Sequence, residues 1–329
     1  AFLLVVAAKF SPEQVFAQFF DKVVVLVLGG FVLAVAMAKH GLDEFFAQKI
    51  LGKFGTKSSH VLLGIISATA FLSMWMSNSS AAAIALPIAI VILSKNNFEP
   101  LKSNFGKSIV LGVAYGATIG GMGTLVGSTP NVLAQKFLSE NGIQFGFIEW
   151  GIRGFPFMIA LILACWFVLK FFFPPEKEFI ELKKTNAPLT KPQKIVAGIF
   201  AFTVILWVTE SIHGIHNSII ALVPIILLYG FNLLDTKDFS KISWDTLILI
   251  GGGIALGMAI DTAGLDTVLS SLLNSILSNQ PLIIIMFLIS IIGIILTSFL
   301  SNTAASAVLI PIVTALSVTL GLDMTNFVA

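Results

Sequence analysis

The sequence is poor in charge. Of its 329 residues only 11% are Asp, Glu, Lys or Arg, while 57% are hydrophobic. A soluble domain carries about 25% charged and roughly 45–50% apolar residues, so this chain cannot coat a water-facing surface. Its one cysteine, Cys165, excludes an internal disulfide. The four histidines (His40, His60, His213 and His216) sit in connections or at the ends of apolar runs and have no metal-protease spacing. All 17 acids lie at span ends or in connections, so no span offers a mid-depth carboxylate for a proton relay. No nucleophile is spaced with a base, which argues against an intramembrane enzyme. A net charge of +2 points to no nucleic acid. No methionine opens the chain, and Ala1 already lies inside an apolar run without the layout of a signal peptide. The expectation is a chain that begins mid-protein.

What is abundant is apolar sequence in long runs. A membrane span needs about 20 apolar residues. Candidates are 1–8 (the tail of one), 22–38, 58–94, 108–126, 150–173, 193–211, 217–232, 245–261 and 281–320. The fold class is therefore an all-α polytopic membrane protein, because lipid leaves no partner for stray backbone groups. Residues 42–54 alternate apolar and charged positions at helical spacing and read as an interfacial amphipathic helix. Residues 174–192 form a charged, proline-bounded linker near the middle of the chain.

Lysines set the orientation through their preference for the cytoplasmic side. They flank 58–94 on both sides (Lys53 and Lys57, then Lys95 and Lys102) and crowd the linker, from Lys170 to Lys194. Residues 242–329 contain no Lys or Arg. This places both ends of 58–94 inside and both ends of 281–320 outside.

Two matches along the chain fit that arrangement. "SNSSAAAIALP" (77–87) resembles "SNTAASAVLIP" (301–311), and "LGGFVLAVAMAKHGLD" (28–43) resembles "GGGIALGMAIDTAGLD" (251–266). The Ser77-to-Ser301 and Gly41-to-Gly264 offsets differ by a single residue. The chain thus reads as an inverted-topology repeat, which in transporters places substrate and ions at broken helices near the bilayer midplane. The end of the first repeat occupies 1–173, the linker 174–192, and the start of the second repeat 193–329, with its C-terminal part missing. Each long apolar run is either two full spans or a hairpin that stops midway. The second arm of the first, 81–94, makes only about 21 Å of helix against a core of about 30 Å, which favours the re-entrant hairpin.

A further irregularity is "GVAYGATIGGMGTLVGSTPN" (112–131). Gly112, Gly116 and Gly120 share one helical face and suit close packing. Gly121, Gly123, Gly127 and Pro130 do not fit that explanation. They predict a broken helix over 108–138 that unwinds near 127–131 and resumes at Val132. The chemistry on offer is neutral oxygen and backbone. Asn78–Ser80 and Asn302–Thr303 precede new helices, whose N-termini suit an anion. Their oxygens, with unwound carbonyls, suit a hard cation such as Na⁺.

At these residues the chain resembles the divalent anion/sodium symporter family, whose members carry dicarboxylates, citrate or sulfate. The family has two Ser-Asn-Thr motifs at the tips of opposed re-entrant hairpins and a Gly-[Ser/Thr]-Pro-Pro-Asn-like break after each. Here "SNS" (77–79), "GSTPN" (127–131) and "SNT" (301–303) match in order. The resemblance implies sodium-coupled symport of a C4-dicarboxylate such as succinate, malate or fumarate by an elevator mechanism, in a homodimer of the plasma membrane. Sodium-dependent sulfate or citrate transport, and sodium-independent dicarboxylate exchange, remain alternatives. It implies one sodium site at Ser73, Ser77, Asn78 and Gly127, and another at Thr297, the Leu300 carbonyl and Asn302. Substrate would meet Asn78, Ser79, Ser128, Asn302 and Thr303. The chain departs from the pattern in three ways: Ser79 stands for the usual Thr, Thr129 stands where a second Pro is common, and the second Gly-Thr-Pro loop is absent, so a fragment is expected.

Overall fold

A computed structural model describes residues 1–6, 8–99, 102–182, 188–264, 268 and 280–328. Among the described residues the regular structure is helical and no strand forms. Among the described residues six helices are long and apolar enough to cross a membrane: Pro12–Lys39, Asn78–Lys95, Phe147–Phe172, Lys191–Val208, Leu282–Phe299 and Asn302–Thr319. The protein is a multi-pass membrane protein. Within the run read as an amphipathic helix, Leu42–Leu51 is helical and is followed by a 3-10 turn at Gly52–Phe54.

The first long run resolves into helices Ser58–Ser73 and Asn78–Lys95, the second into Leu282–Phe299 and Asn302–Thr319. The second arm of the first pair starts at Asn78, earlier than the sequence suggested. Its 18 residues make about 27 Å of helix, so length no longer separates a crossing arm from one that stops midway. Both second arms contain a proline, Pro87 and Pro311, and both are capped by serine, Ser77 and Ser301. Gly41 and Gly264, paired in the longer match, both take positive φ, at 65° and 67°. Residues 265 and 266 of that match lie outside the described residues.

The chain forms two compact units. The larger comprises Gly29–Ser128 and Phe147–Ile242. Its centre is the pair Ser58–Ser73 and Asn104–Gly120, which meet backbone to backbone. A β-carbon built on Gly120 would lie 2.2 Å from the Ala70 carbonyl oxygen, and one on Gly116 2.8 Å from that of Ile66. The small face predicted from Gly112, Gly116 and Gly120 is thus a packing face, as membrane helices use small residues. Ala68, Leu72, Met76, Ala81 and Ala117 form one buried cluster between the hairpin arms and this helix.

Part of the linker is bonded to this unit. Ser58 N donates to the Glu178 carbonyl (2.8 Å) and Ile180 N to that of Thr56 (2.9 Å). Asn96, just past the second arm, accepts from Glu181 N at 2.8 Å. The Glu176 carboxylate accepts the backbone N–H groups of Asn104 and Phe105, capping the next helix. Burial pushes the Glu176 carboxyl up, but its own backbone N–H, these two donors and Lys107 win and hold it below its ordinary value. Linker residues 183–187 lie outside the described residues. Elsewhere in the unit Lys39 pairs with Asp235 and Asp238, tying the end of one helix to the loop before Trp244.

The smaller unit comprises Ala1–Leu28, Thr129–Gly146 and Ser243–Ala329. Helix Trp244–Thr262 presents glycines to its neighbours. A β-carbon on Gly253 would lie 2.9 Å from that of Ala307, and one on Gly257 2.6 Å from the Phe137 ring. Helix Thr129–Glu140 buries most of its residues, including the polar Asn131, Gln135 and Lys136. Lys136 reaches Asp21 (3.0 Å) and Glu140 (2.8 Å), so its buried charge is compensated twice.

Candidate functional site

The broken helix differs in extent from the sequence expectation. Helix Asn104–Gly120 ends at Gly120, and a new helix begins at Thr129, so the break runs over 121–128 and not 127–131. The physical reason is proline's place in a helix. Pro130 lacks an N–H that the first turn does not need, and its fixed φ suits a helix start. The helix therefore begins just before Pro130, and the glycines ahead of it supply the irregular backbone.

In the larger unit this break folds against the turn at 74–77. Thr124 Oγ1 donates to the Met74 carbonyl. Trp150 Nε1 donates to the Met122 carbonyl at 2.9 Å, holding the break from the Phe147–Phe172 helix. Neither Thr124 nor Gly121 was singled out as a site residue from sequence, although the unexplained run Gly121-Gly123-Gly127 marked the place.

Four predicted residues come together here: Ser73, Asn78, Gly127 and Ser128. Ser73, fully buried at the end of its helix, has Oγ 2.6 Å from the Ala117 carbonyl oxygen and 2.8 Å from Asn78 Oδ1. A β-carbon on Gly121 would lie 2.8 Å from Asn78 Oδ1, 3.2 Å from the Gly127 carbonyl oxygen and 3.3 Å from Ser128 Cβ. One on Gly127 would lie 2.8 Å from the Gly121 carbonyl oxygen and 3.1 Å from that of Ser73. Only glycine permits this approach. Three neutral oxygens (Ser73 Oγ, Ala117 O and Asn78 Oδ1) thus share one hydroxyl proton, with further carbonyls close by. Such an oxygen-rich, uncharged set suits a hard monovalent cation.

Ser77 caps the Asn78–Lys95 helix, its Oγ accepting from Ser80 N at 3.3 Å and lying 2.8 Å from Ser80 Oγ. The N–H groups of Asn78 and Ser79 have no intrahelical acceptor and sit at the positive end of the helix dipole. Asn78 is half-buried and Ser79 exposed.

In the smaller unit Ser301 caps the Asn302–Thr319 helix, accepting from Ala304 N at 3.2 Å. Asn302 is exposed, while Thr303 is buried and its hydroxyl is hydrogen-bonded to that of Thr129. The predicted second sodium set is not gathered in the same way. Thr297 is exposed and its Oγ1 donates back along its own helix, with the Gly293 carbonyl at 2.9 Å and that of Ile294 at 3.1 Å. Leu300 is an exposed, extended C-cap residue. Among the described residues no group of three His, Cys, Asp or Glu is placed to hold a metal ion.

The chain is similar to known transporters over most of its length. A transporter of Methanocaldococcus jannaschii, named as uncharacterized, is 38% identical over 290 residues, covering 86% of this chain and 64% of its own length. The sodium-dependent dicarboxylate transporter SdcS of Staphylococcus saprophyticus is 32% identical over 350 residues, covering 96% of this chain and 67% of its own. The protein of the same name from Staphylococcus aureus strain USA300 is 31% identical, covering 94% and 66%. The chain therefore spans about two thirds of the length of these relatives. The profile of the family described as "Citrate transporter" matches residues 1–328. The chain belongs to the citrate transporter family, a family of transporters and not of enzymes, in line with the symporter resemblance in its motifs.

Proposed function

We propose that the full-length protein is a secondary active transporter that carries a C4-dicarboxylate such as succinate, malate or fumarate together with Na⁺ across the plasma membrane. The observation that carries this reading is the neutral oxygen cluster of Ser73, Asn78 and the Ala117 carbonyl, packed against Gly121 and Gly127. Ser73, Ser77, Asn78 and Gly127 hold one sodium ion; Thr297, the Leu300 carbonyl and Asn302 hold another. Asn78, Ser79 and Ser128 meet substrate carboxylate, as do Asn302 and Thr303. Neutral donors beside a bound cation limit the cost of burying an anion's charge. The relatives named as sodium-dependent dicarboxylate transporters support both the ion and the substrate class.

The two helix pairs, 58–94 and 281–320, act as re-entrant hairpins of an inverted repeat. The matching serine caps, internal prolines and positive-φ glycines support the duplication. The protein works as a homodimer by an elevator movement. Citrate is the second reading, favoured by the family's description.

The test is uptake of labelled succinate by the full-length protein in proteoliposomes, with and without an inward Na⁺ gradient, in competition with fumarate, citrate and sulfate. Sodium-driven uptake blocked by fumarate is the expected result. Sodium-driven uptake of labelled citrate with none of succinate moves the substrate to citrate, and uptake of labelled sulfate alone removes the carboxylate assignment. Uptake indifferent to Na⁺ and driven by internal dicarboxylate makes the protein an exchanger.

A further inference from the structure

Threonine hydroxyls inside helices usually turn back to the carbonyl four residues earlier. Thr262 does so to Met258 (2.8 Å), Thr297 to Gly293 (2.9 Å) and Thr319 to Ala315 (2.8 Å). Thr129 and Thr303 cannot. Thr129 is the first residue of its helix and Thr303 the second of its own, so neither has a carbonyl of its own helix four residues back. Their hydroxyls bond to each other instead, within the smaller unit. Thr303 is 6% exposed and Thr129 half-buried, so the bond is partly shielded from solvent.

A hydroxyl pair uses one proton and one lone pair. The hydroxyl that accepts keeps its own proton to give elsewhere. If Thr303 donates to a bound anion, Thr129 must be the donor within the pair, and the chain runs Thr129 O–H to Thr303 Oγ, then Thr303 O–H to the anion. Hydrogen bonds in such a chain polarise and strengthen one another. The bond also fixes the direction in which the Thr303 hydroxyl points.

We propose that Thr129 is a positioning residue for anion recognition, acting through Thr303 by orienting and polarising its hydroxyl. This rests on the reading of Thr303 as a substrate contact. It assigns a role to the position at which the symporter resemblance leads one to expect proline, a residue that has no hydroxyl to give. The same resemblance therefore supplies the sharpest variant, Thr129→Pro, since proline is well tolerated at a helix start.

The experiment measures uptake of labelled succinate and of labelled citrate by the full-length protein in proteoliposomes. The variants are Thr129→Val, Thr129→Ser, Thr129→Pro, Thr303→Val and the Thr129→Val/Thr303→Val pair. Thr129→Val is expected to raise the half-maximal anion concentration roughly three- to tenfold, as for one lost neutral hydrogen bond. Maximal rate and substrate-free sodium binding should stay unchanged. Thr129→Ser should restore affinity, Thr129→Pro should resemble Thr129→Val, and in the Thr303→Val background Thr129→Val should add nothing. Thr129→Ala replaces Thr129→Val if the latter yields no folded protein. Full additivity of the pair, or a Thr129→Val variant with unchanged affinity beside a weakened Thr303→Val, overturns the positioning role alone. An unchanged Thr303→Val, or no uptake of either anion, overturns the functional reading and the proposal with it.

Discussion

The two tips share a motif and a serine cap, yet their polar side chains are engaged in opposite ways. At the first, Asn78 lies against Ser73 and the Ser79 hydroxyl is exposed. At the second, Asn302 is exposed and the Thr303 hydroxyl is buried against Thr129. The residues leading into the tips explain part of this. Ser73 and Thr297 occupy equivalent places, five residues before the asparagine. Ser73 is buried beside the Ala117 carbonyl because Gly116 and Gly120 let a neighbouring helix approach to backbone contact. Thr297 lies on a helix whose one buried residue is Ile285, so its hydroxyl turns back to its own backbone. The lesson is that the same short motif gives an assembled oxygen cluster only where a second backbone is brought close to it.

The largest way to break the comparison is to push that backbone away. Gly120→Ala places a methyl 2.2 Å from the Ala70 carbonyl oxygen, with no flexible side chain to yield. Overpacking of this kind costs about 1–3 kcal/mol or more. The expected outcome is a marked fall in monodisperse yield and in melting temperature in detergent. The corresponding change on the second tip's leading helix, Gly293→Ala, meets only the Leu309 side chain at 3.7 Å and should be near neutral. Equal damage from both would mean that the tips do not differ in how they are supported.

The next effect is on sodium. Asn78→Ala and Ser73→Ala each remove an oxygen from the assembled cluster. A hydrogen bond or contact to a charged partner is worth about 1.5–3 kcal/mol, or roughly ten- to a hundredfold in affinity. Substrate-free sodium binding to the full-length protein, followed by calorimetry, should weaken by that factor. Thr297→Val should weaken it less, because the Thr297 hydroxyl is engaged with its own helix. A larger loss at Thr297 than at Ser73 would reverse the order.

Which parts of this were readable in the sequence follows from range. Helices, caps and the glycine face rest on neighbours within a turn or two, so the helices that follow the two tips and the Gly112–Gly120 face stood in the residue pattern, although the first of those helices starts at Asn78 and not after Ser80. The limits of the break did not. Three glycines and a proline announced irregular backbone, but Pro130 served to start a helix, which moved the break to 121–128. The bonds of Thr124 to Met74 and of Thr129 to Thr303 join residues far apart in sequence, and no local spacing announces them. For the same reason the charged, proline-bounded pattern of the linker did not announce that Glu176, Glu178 and Ile180 are bonded to the ends of neighbouring helices.

A smaller effect separates ion from substrate at the first tip. Ser79→Ala removes a hydroxyl that makes no bond within the described residues, so the oxygen cluster should survive it. The half-maximal substrate concentration should rise roughly tenfold, as for a bond to a charged partner. Substrate-free sodium binding should stay nearly unchanged; the restriction matters because coupled ligands shift each other's apparent affinities reciprocally. Ser79→Thr, the residue usual in the resembling family, should be close to neutral. Sodium binding weakened as much as by Asn78→Ala would place Ser79 in the ion site.

The smallest expected difference is one of rates. Replacing Cys165, with any cysteine elsewhere in the full-length protein, gives a cysteine-free background in which thiols can be introduced one at a time. Ser79 is exposed and Thr303 is 6% exposed and packed on Thr129, so Ser79→Cys should react severalfold faster than Thr303→Cys with a small polar thiol reagent. Thr129→Gly should open the second tip and bring the Thr303→Cys rate toward that of Ser79→Cys. Na⁺ with substrate should protect both positions, since both are read as lining bound anion. Equal rates without the Thr129 change would mean that the two hydroxyls part readily in the membrane, leaving Thr303 as open as Ser79. Labelling of Ser79→Cys only from outside, and indifferent to ligand, would mean an external loop between two full spans, and the re-entrant arrangement would fail at the tip where its oxygen cluster is best assembled.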